Sequence, residues 1–231
     1  MLKNAKGFTL IESLFALFIG VVLLGAIYVA MESGQRSSVA MEGKVVAQQD
    51  VRATLEIMTL EIGMASYNPN FVSNIWRTPP PGDCTTESGN RAYKGIQGAT
   101  VNSITVEMDS GESGGIGDDT NEIIGYVYDT ANQRITRATN CGGAQPFLGD
   151  APGSPRSVRV INNTLNIPMV RYFDGVGTEI LAAGLPAGIP NIRRIEITLA
   201  VETEDIALDT QQRRRMIYST SVIPRNHPIN L

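Results

Sequence analysis

Three features of the 231-residue chain predict an α+β fold, a long N-terminal helix packed on an antiparallel β-sheet head. The first is an unbroken apolar run from Phe8 to Met31. The second is a stripe of Val51, Leu55, Met58, Ile62 and Ala65, at spacings of four and three. The third is a set of short alternating segments after residue 100, such as Ile104, Val106, Met108 and Ile195, Ile197, Leu199, Val201. Spacings near 3.6 place residues on one face of a helix, and spacings of two place them on one face of a strand.

The apolar run comes first in the chain. At 1.5 Å per residue its span is about 36 Å, enough to cross a hydrocarbon core of about 30 Å. Lys3 and Lys6 precede it. That asymmetry holds the N-terminal end in the cytoplasm and sends the remainder outward. A secretory signal peptide has a shorter apolar core, with a small-residue cleavage site after it. Here the small residue before the apolar core is Gly7. Glu12 lies early in the span, and a carboxylate at membrane depth costs about 2.5–3.5 kcal/mol unless a positive charge meets it.

The segment Gly7-Phe8-Thr9-Leu10-Ile11-Glu12, behind a short basic leader, resembles the type IV prepilin signature. The resemblance implies that a membrane prepilin peptidase cuts after Gly7 and methylates Phe8. It also implies that Glu12, fifth in the mature chain, pairs with the N-terminal amine of a neighbouring subunit during assembly. Implied partners are other major and minor pilins, the inner-membrane assembly platform, and lipid around the N-terminal helix. Many major pilins carry a proline in this stem, and this chain has none there. Gly20 and Gly25 are its weak points, each costing about 1 kcal/mol of helix propensity relative to alanine.

The expected organisation is a leader at 1–7, a transmembrane or filament-core helix at 8–31, an amphipathic continuation at 32–66 and a pilin-like β-rich head at 67–231. Residues 68–98, with Pro69, Pro79, Pro80 and Pro81, read as a connecting loop. Ile123–Tyr128 and Met216–Val222 add strand signals. Asp129–Asn132 reads as the turn between strands at Gly125–Tyr128 and Arg134–Arg137. The segments Gln49–Leu55, Glu61–Ala65, Ile192–Leu199 and Pro224–Asn226 are similar to PilW-type minor pilins and J-type pseudopilins of type II secretion. The resemblance therefore implies a minor pilin that helps initiate or tip a type IV pilus. A J-type pseudopilin is the alternative, or a pilus-borne adhesin or DNA-binding subunit.

The net charge of −4 becomes −6 once a leader carrying Lys3 and Lys6 is removed, which argues against nucleic-acid binding by overall charge. A local patch would have to come from Arg193, Arg194 and Arg213–Arg215, brought together if the last strands form a hairpin. A solvated hairpin edge is the simpler reading. Cys84 and Cys141 lie in the exported part, where disulfides persist. A bridge between them would stabilise the head by about 4 kcal/mol in the chain-entropy view, and two free thiols are the alternative.

Gly111–Gly115 fits the G-x-S-x-G pattern of serine hydrolases, but glycine- and aspartate-rich residues follow it where a nucleophile elbow needs a helix. The single histidine, His227, lies far downstream. No enzyme activity and no cofactor are expected. The loop from Asp109 to Glu122 echoes a calcium loop poorly, with Asp109, Gly114 and Ile116 in place but Gly111, Ser113 and Thr120 where ligands belong, and Asp109, Asp118, Asp119 and Glu122 are its weak candidates for holding an ion. Solvated turn carboxylates are the expected reading there.

Overall fold

The structure, a computed structural model, describes residues 9–73, 75–76, 94–111, 114–149, 158–207 and 212–227. Helix α1 runs Leu10–Gly63. The chain divides into two compact units, one ending at Gly43 and the other beginning at Lys44, and α1 contributes to both.

In the second unit the predicted stripe is the buried face of α1. Val51, Met58, Ile62 and Ala65 are fully buried, with Ala47 and Leu55 beside them. They share one core with the strands. Glu56 and Arg52 stay exposed on the opposite face. The helix stops at Gly63, three residues short of the predicted end at 66. Ser66 then adopts a left-handed φ of 66° and donates its amide to the Glu107 carbonyl at 2.8 Å. Gly95 packs against this turn so closely that a Cβ there would lie 2.1 Å from the Ser66 nitrogen.

The first sheet is an antiparallel meander in chain order: β1 (Ile96–Ala99), β2 (Ser103–Glu107), β3 (Ile123–Asp129), β4 (Arg134–Thr139) and β5 (Gln145–Leu148). Buried Ile104 and Val106 alternate with half-buried Ser103 and Thr105. The predicted β3–β4 turn is present, shifted by one residue to 130–133. Asp129 fastens it, accepting from the Asn132 amide at 3.1 Å, Asn132 Nδ2 at 2.7 Å and Arg134 Nε at 3.1 Å. Those donors, Asn132 first, hold the Asp129 carboxyl below its ordinary range despite some desolvation.

A second sheet, rather than an extension of the first, holds β6 (Val158–Val160), β7 (Val170–Phe173), β8 (Glu179–Ile180), β9 (Arg194–Ala207) and β10 (Gln212–Val222). The order is β10-β9-β7-β8, and β6 also pairs with β9. Val160 lies opposite Val201 and Val170 opposite Ile197, so β6 and β7 share one edge of β9. Buried Asn162 fills the gap between them. Its Oδ1 accepts from the Ala200 amide at 2.8 Å, and its Nδ2 donates to the Thr198 carbonyl at 2.8 Å and the Ile167 carbonyl at 3.2 Å.

Two expectations are corrected. The head has two sheets where one was predicted, because β5 to β8 are two to four residues long and too short to show a period. The segment read as loop to residue 98 already contains β1, whose Gly98 interrupts the alternation. The last strands do form a hairpin, but its register separates the arginines. Arg215 lies opposite Glu202, eight positions along β9 from Arg194 and so about 26 Å away. Arg194 instead stacks on Phe173, 3.8 Å from the ring centroid, while Arg215 pairs with Glu202 at 3.4 Å.

Candidate functional site

Thr9 immediately precedes α1, which makes Glu12 the third residue of the helix. The Glu12 amide donates to Thr9 Oγ1 at 3.3 Å, and the Thr9 amide donates to Glu12 Oε2 at 3.4 Å. This reciprocal pair is a capping box, which satisfies two of the amides that a helix start leaves unpaired. The carboxylate also sits at the positive end of the helix dipole. A threonine three residues before a glutamate is the sequence pattern of such a box. Gly7 and Phe8, the expected cleavage and methylation positions, lie outside the described residues.

Beyond Glu12 the first unit presents apolar side chains in every direction. Leu14, Phe15, Leu17, Leu23 and Ile27 are each more than half exposed. At 100° per residue, those positions go round the whole circumference. Among the described residues this is the one helix long and apolar enough to cross a membrane. An apolar surface of this kind belongs in lipid or among other apolar helices.

The loop between β2 and β3 carries the acidic candidates. Glu122 is fully buried, and its carboxylate accepts four backbone amides. Ser110 and Gly111 donate to Oε1 at 3.1 and 3.2 Å; Gly117 and Asp119 donate to Oε2 at 2.8 and 3.1 Å. Asn140 closes the loop from β4, accepting from the Glu122 and Ile123 amides and donating to the Asp119 carbonyl at 2.6 Å. Exposed Asp118 and Asp119 join Glu122 in a group whose carboxylate oxygens fall within 4.8 Å of one another. Asp109 is fully buried, and neither of its oxygens meets a donor. Burial pushes its carboxyl up, the nearby Gly111 amide, which donates to Glu122 instead, partly opposes this, and the Asp118 and Asp119 charges add to the rise.

The described part of the hydrolase-like segment is loop on both sides, and residues 114–122 form bends and turns rather than a helix. His227 is buried against backbone, with Nδ1 2.8 Å from the Lys94 carbonyl and Nε2 2.9 Å from the Ile189 carbonyl. It is in no position to serve as a general base. Cys141 follows β4 in a left-handed turn with φ 54°, while its expected partner Cys84 lies outside the described residues.

Residues 2–28 match the family described as the prokaryotic N-terminal methylation motif. No curated protein matches the chain. Among solved structures it is similar to a type IV-like pilin from Thermus thermophilus, at 12% identity and a TM-score of 0.40, over 78% of this chain and 98% of that one.

Proposed function

We propose that this type IV prepilin-like chain is a minor pilin, a structural subunit that helps initiate or tip assembly of a type IV pilus. The observation that carries the reading is the N-terminal motif continuing into a helix whose apolar side chains are exposed all round, with one carboxylate at its start. Such a helix is stable in a membrane before assembly and in a bundle of like helices after it. The precursor is then a single-pass inner-membrane protein with its head outside the cytoplasm. Prepilin peptidase acts on it at Gly7-Phe8, and other pilins and the assembly platform receive it. The assignment to the minor class rests on the similarities of 49–65 and 192–199 to PilW-type sequences.

Mass spectrometry of the membrane fraction tests processing. The expected mature chain begins with methylated Phe8, and its non-reducing peptide map contains a Cys84–Cys141 crosslink. Met1 retained in the presence of active peptidase contradicts the processing. A deletion strain separates the two machines. Loss of surface pili with normal protein secretion fits the pilus, whereas normal pili with lost secretion selects a type II pseudopilin.

A further inference from the structure

We propose that the free edge of β10, over residues 216–221, is a docking surface that takes one extended strand from the head of a different pilin, an inference that rests on the pilin reading. The register shows which backbone groups are on offer. The Thr198 amide donates to the Met169 carbonyl at 2.9 Å, and the Ala200 carbonyl accepts from the Ile161 amide at 2.7 Å. Residues 198 and 200 therefore turn their backbone groups toward the β6 and β7 side. Successive strand residues alternate sides, so Ile197, Leu199 and Val201 turn theirs toward β10, where Thr220, Tyr218 and Met216 lie opposite. The residues in between, Ile217, Ser219 and Ser221, aim their N–H and C=O groups away from β9. Among the described residues no strand lies on that side, and all three residues are exposed. A row of alternating N–H and C=O groups is met in full only by another extended backbone, the strand-addition mode of recognition.

This edge is unguarded along its middle. Sheet edges invite pairing, and proteins blunt them with short strands, bulges, prolines or charges. The other edges follow that rule: β1 has four residues and a bulge between Ile96 and Gly98, β5 contains Pro146, and β6 and β8 are three and two residues long. Strand β10 runs for 11 residues and keeps its guards at the ends, with Arg213–Arg215 and a bulge on one side and Pro224 beyond the other. Between them lie uncharged residues only, over about 20 Å of strand. A groove of about 410 Å³ separates this edge from α1, with Leu55 and Leu60 lining it from the helix. The occupant is thus an extended, uncharged segment with an apolar side chain for exposed Leu60 and an acidic residue for the arginine end. A second copy of β10 does not fit that description. Parallel pairing in register sets the arginine triplets side by side, and antiparallel pairing about Ser219 brings Arg213 toward Arg225, like charges that oppose pairing.

The test uses the full chain in membranes of cells that make the other pilins. A photocrosslinking amino acid replaces Ile217 in one strain and Leu17 of the stem in another. The Ile217 probe is expected to give an adduct with a different pilin, mapped by mass spectrometry to a strand of its head. Ser219→Pro removes an N–H that faces away from β9 and so keeps the β9 ladder. It is expected to leave Tm in detergent within about 3 °C of wild type and to cut the Ile217 adduct about tenfold. Should it lower Tm further, Ser221→Pro, whose N–H also faces outward, takes its place. Three results overturn the proposal: a Leu17 adduct without an Ile217 adduct, an Ile217 adduct only with a second copy or another segment of this chain, or an undiminished adduct in the folded proline variant. Absence of an adduct from both positions contradicts the pilin reading itself.

Discussion

The Thr9–Glu12 pair holds a carboxylate at the first turn of an apolar helix, with Glu12 Oε2 accepting from the Thr9 amide at 3.4 Å. Local capping draws on this carboxylate, and the proposed pairing with a neighbouring amine would draw on it too, so an alanine substitution by itself does not separate the two. Glu61 works differently, since it faces partners inside its own unit. It takes a two-pronged contact from Arg137, at 2.7 and 3.1 Å, and accepts from the Tyr126 hydroxyl. Burial first, and then Glu61, push the Tyr126 phenol above its ordinary value. Such a link joins residues far apart in sequence, and no local pattern announces it.

His227 gives the residue scale its pH dependence. Burial lowers its pKa below 6.5, the Ile189 and Lys94 carbonyls oppose that, and the Arg193 charge adds to it. The unfolded chain therefore binds a proton that the folded chain refuses, and the stability contribution rises with pH. It is complete above about pH 6.5 and is lost as pH falls below that value toward the folded-state pKa. Thermal unfolding from pH 7.5 to 5 is expected to show a falling Tm, with a shallower slope in His227→Gln. Equal slopes in both proteins count against His227 as the source.

Among elements, the second half of α1 was the most legible in sequence because its period is long enough to count. Val51, Leu55, Met58, Ile62 and Ala65 repeat over four turns, and all five are buried. Ile62→Ala is expected to destabilise the head by about 2–5 kcal/mol, as cavity-forming core substitutions do. Leu60→Ala, on the exposed face, is expected to stay within about 0.5 kcal/mol. Denaturant unfolding compares them, and equal losses would mean that the helix face is misassigned. Strands β6 and β7 were not legible, because what unites them is one buried side chain. Asn162 bridges to Thr198 and Ala200 across the gap, a tertiary role that looks in sequence like any loop asparagine. The hairpin of β9 and β10 was readable as strands but not in register, and register is what separates Arg194 from Arg215.

At the scale of the whole molecule, the two units divide the work. The first carries surface that only lipid or other helices can cover, and the second buries its own core on two sheets. The signal for the first was legible because composition alone determines it: an apolar run with a single carboxylate needs no knowledge of contacts. The acidic loop was half legible. Its carboxylates stood out in sequence, whereas the four amides on Glu122 and the absence of any donor to Asp109 belong to the folded loop.

The central claim is that Glu12 takes part in filament assembly through its charge. The direct measurement is a crosslink between cysteines placed in this stem and in a neighbouring pilin's stem. It is scored in wild type, Glu12→Gln and Glu12→Ala, with leader removal checked in each. Glutamine preserves the reach of a capping box but not the charge, so it separates the helix cap from the intersubunit pair. The account predicts normal cleavage in all three proteins and loss of the crosslink in both variants. A glutamine variant that crosslinks as well as wild type would contradict it, leaving Glu12 as a helix cap alone.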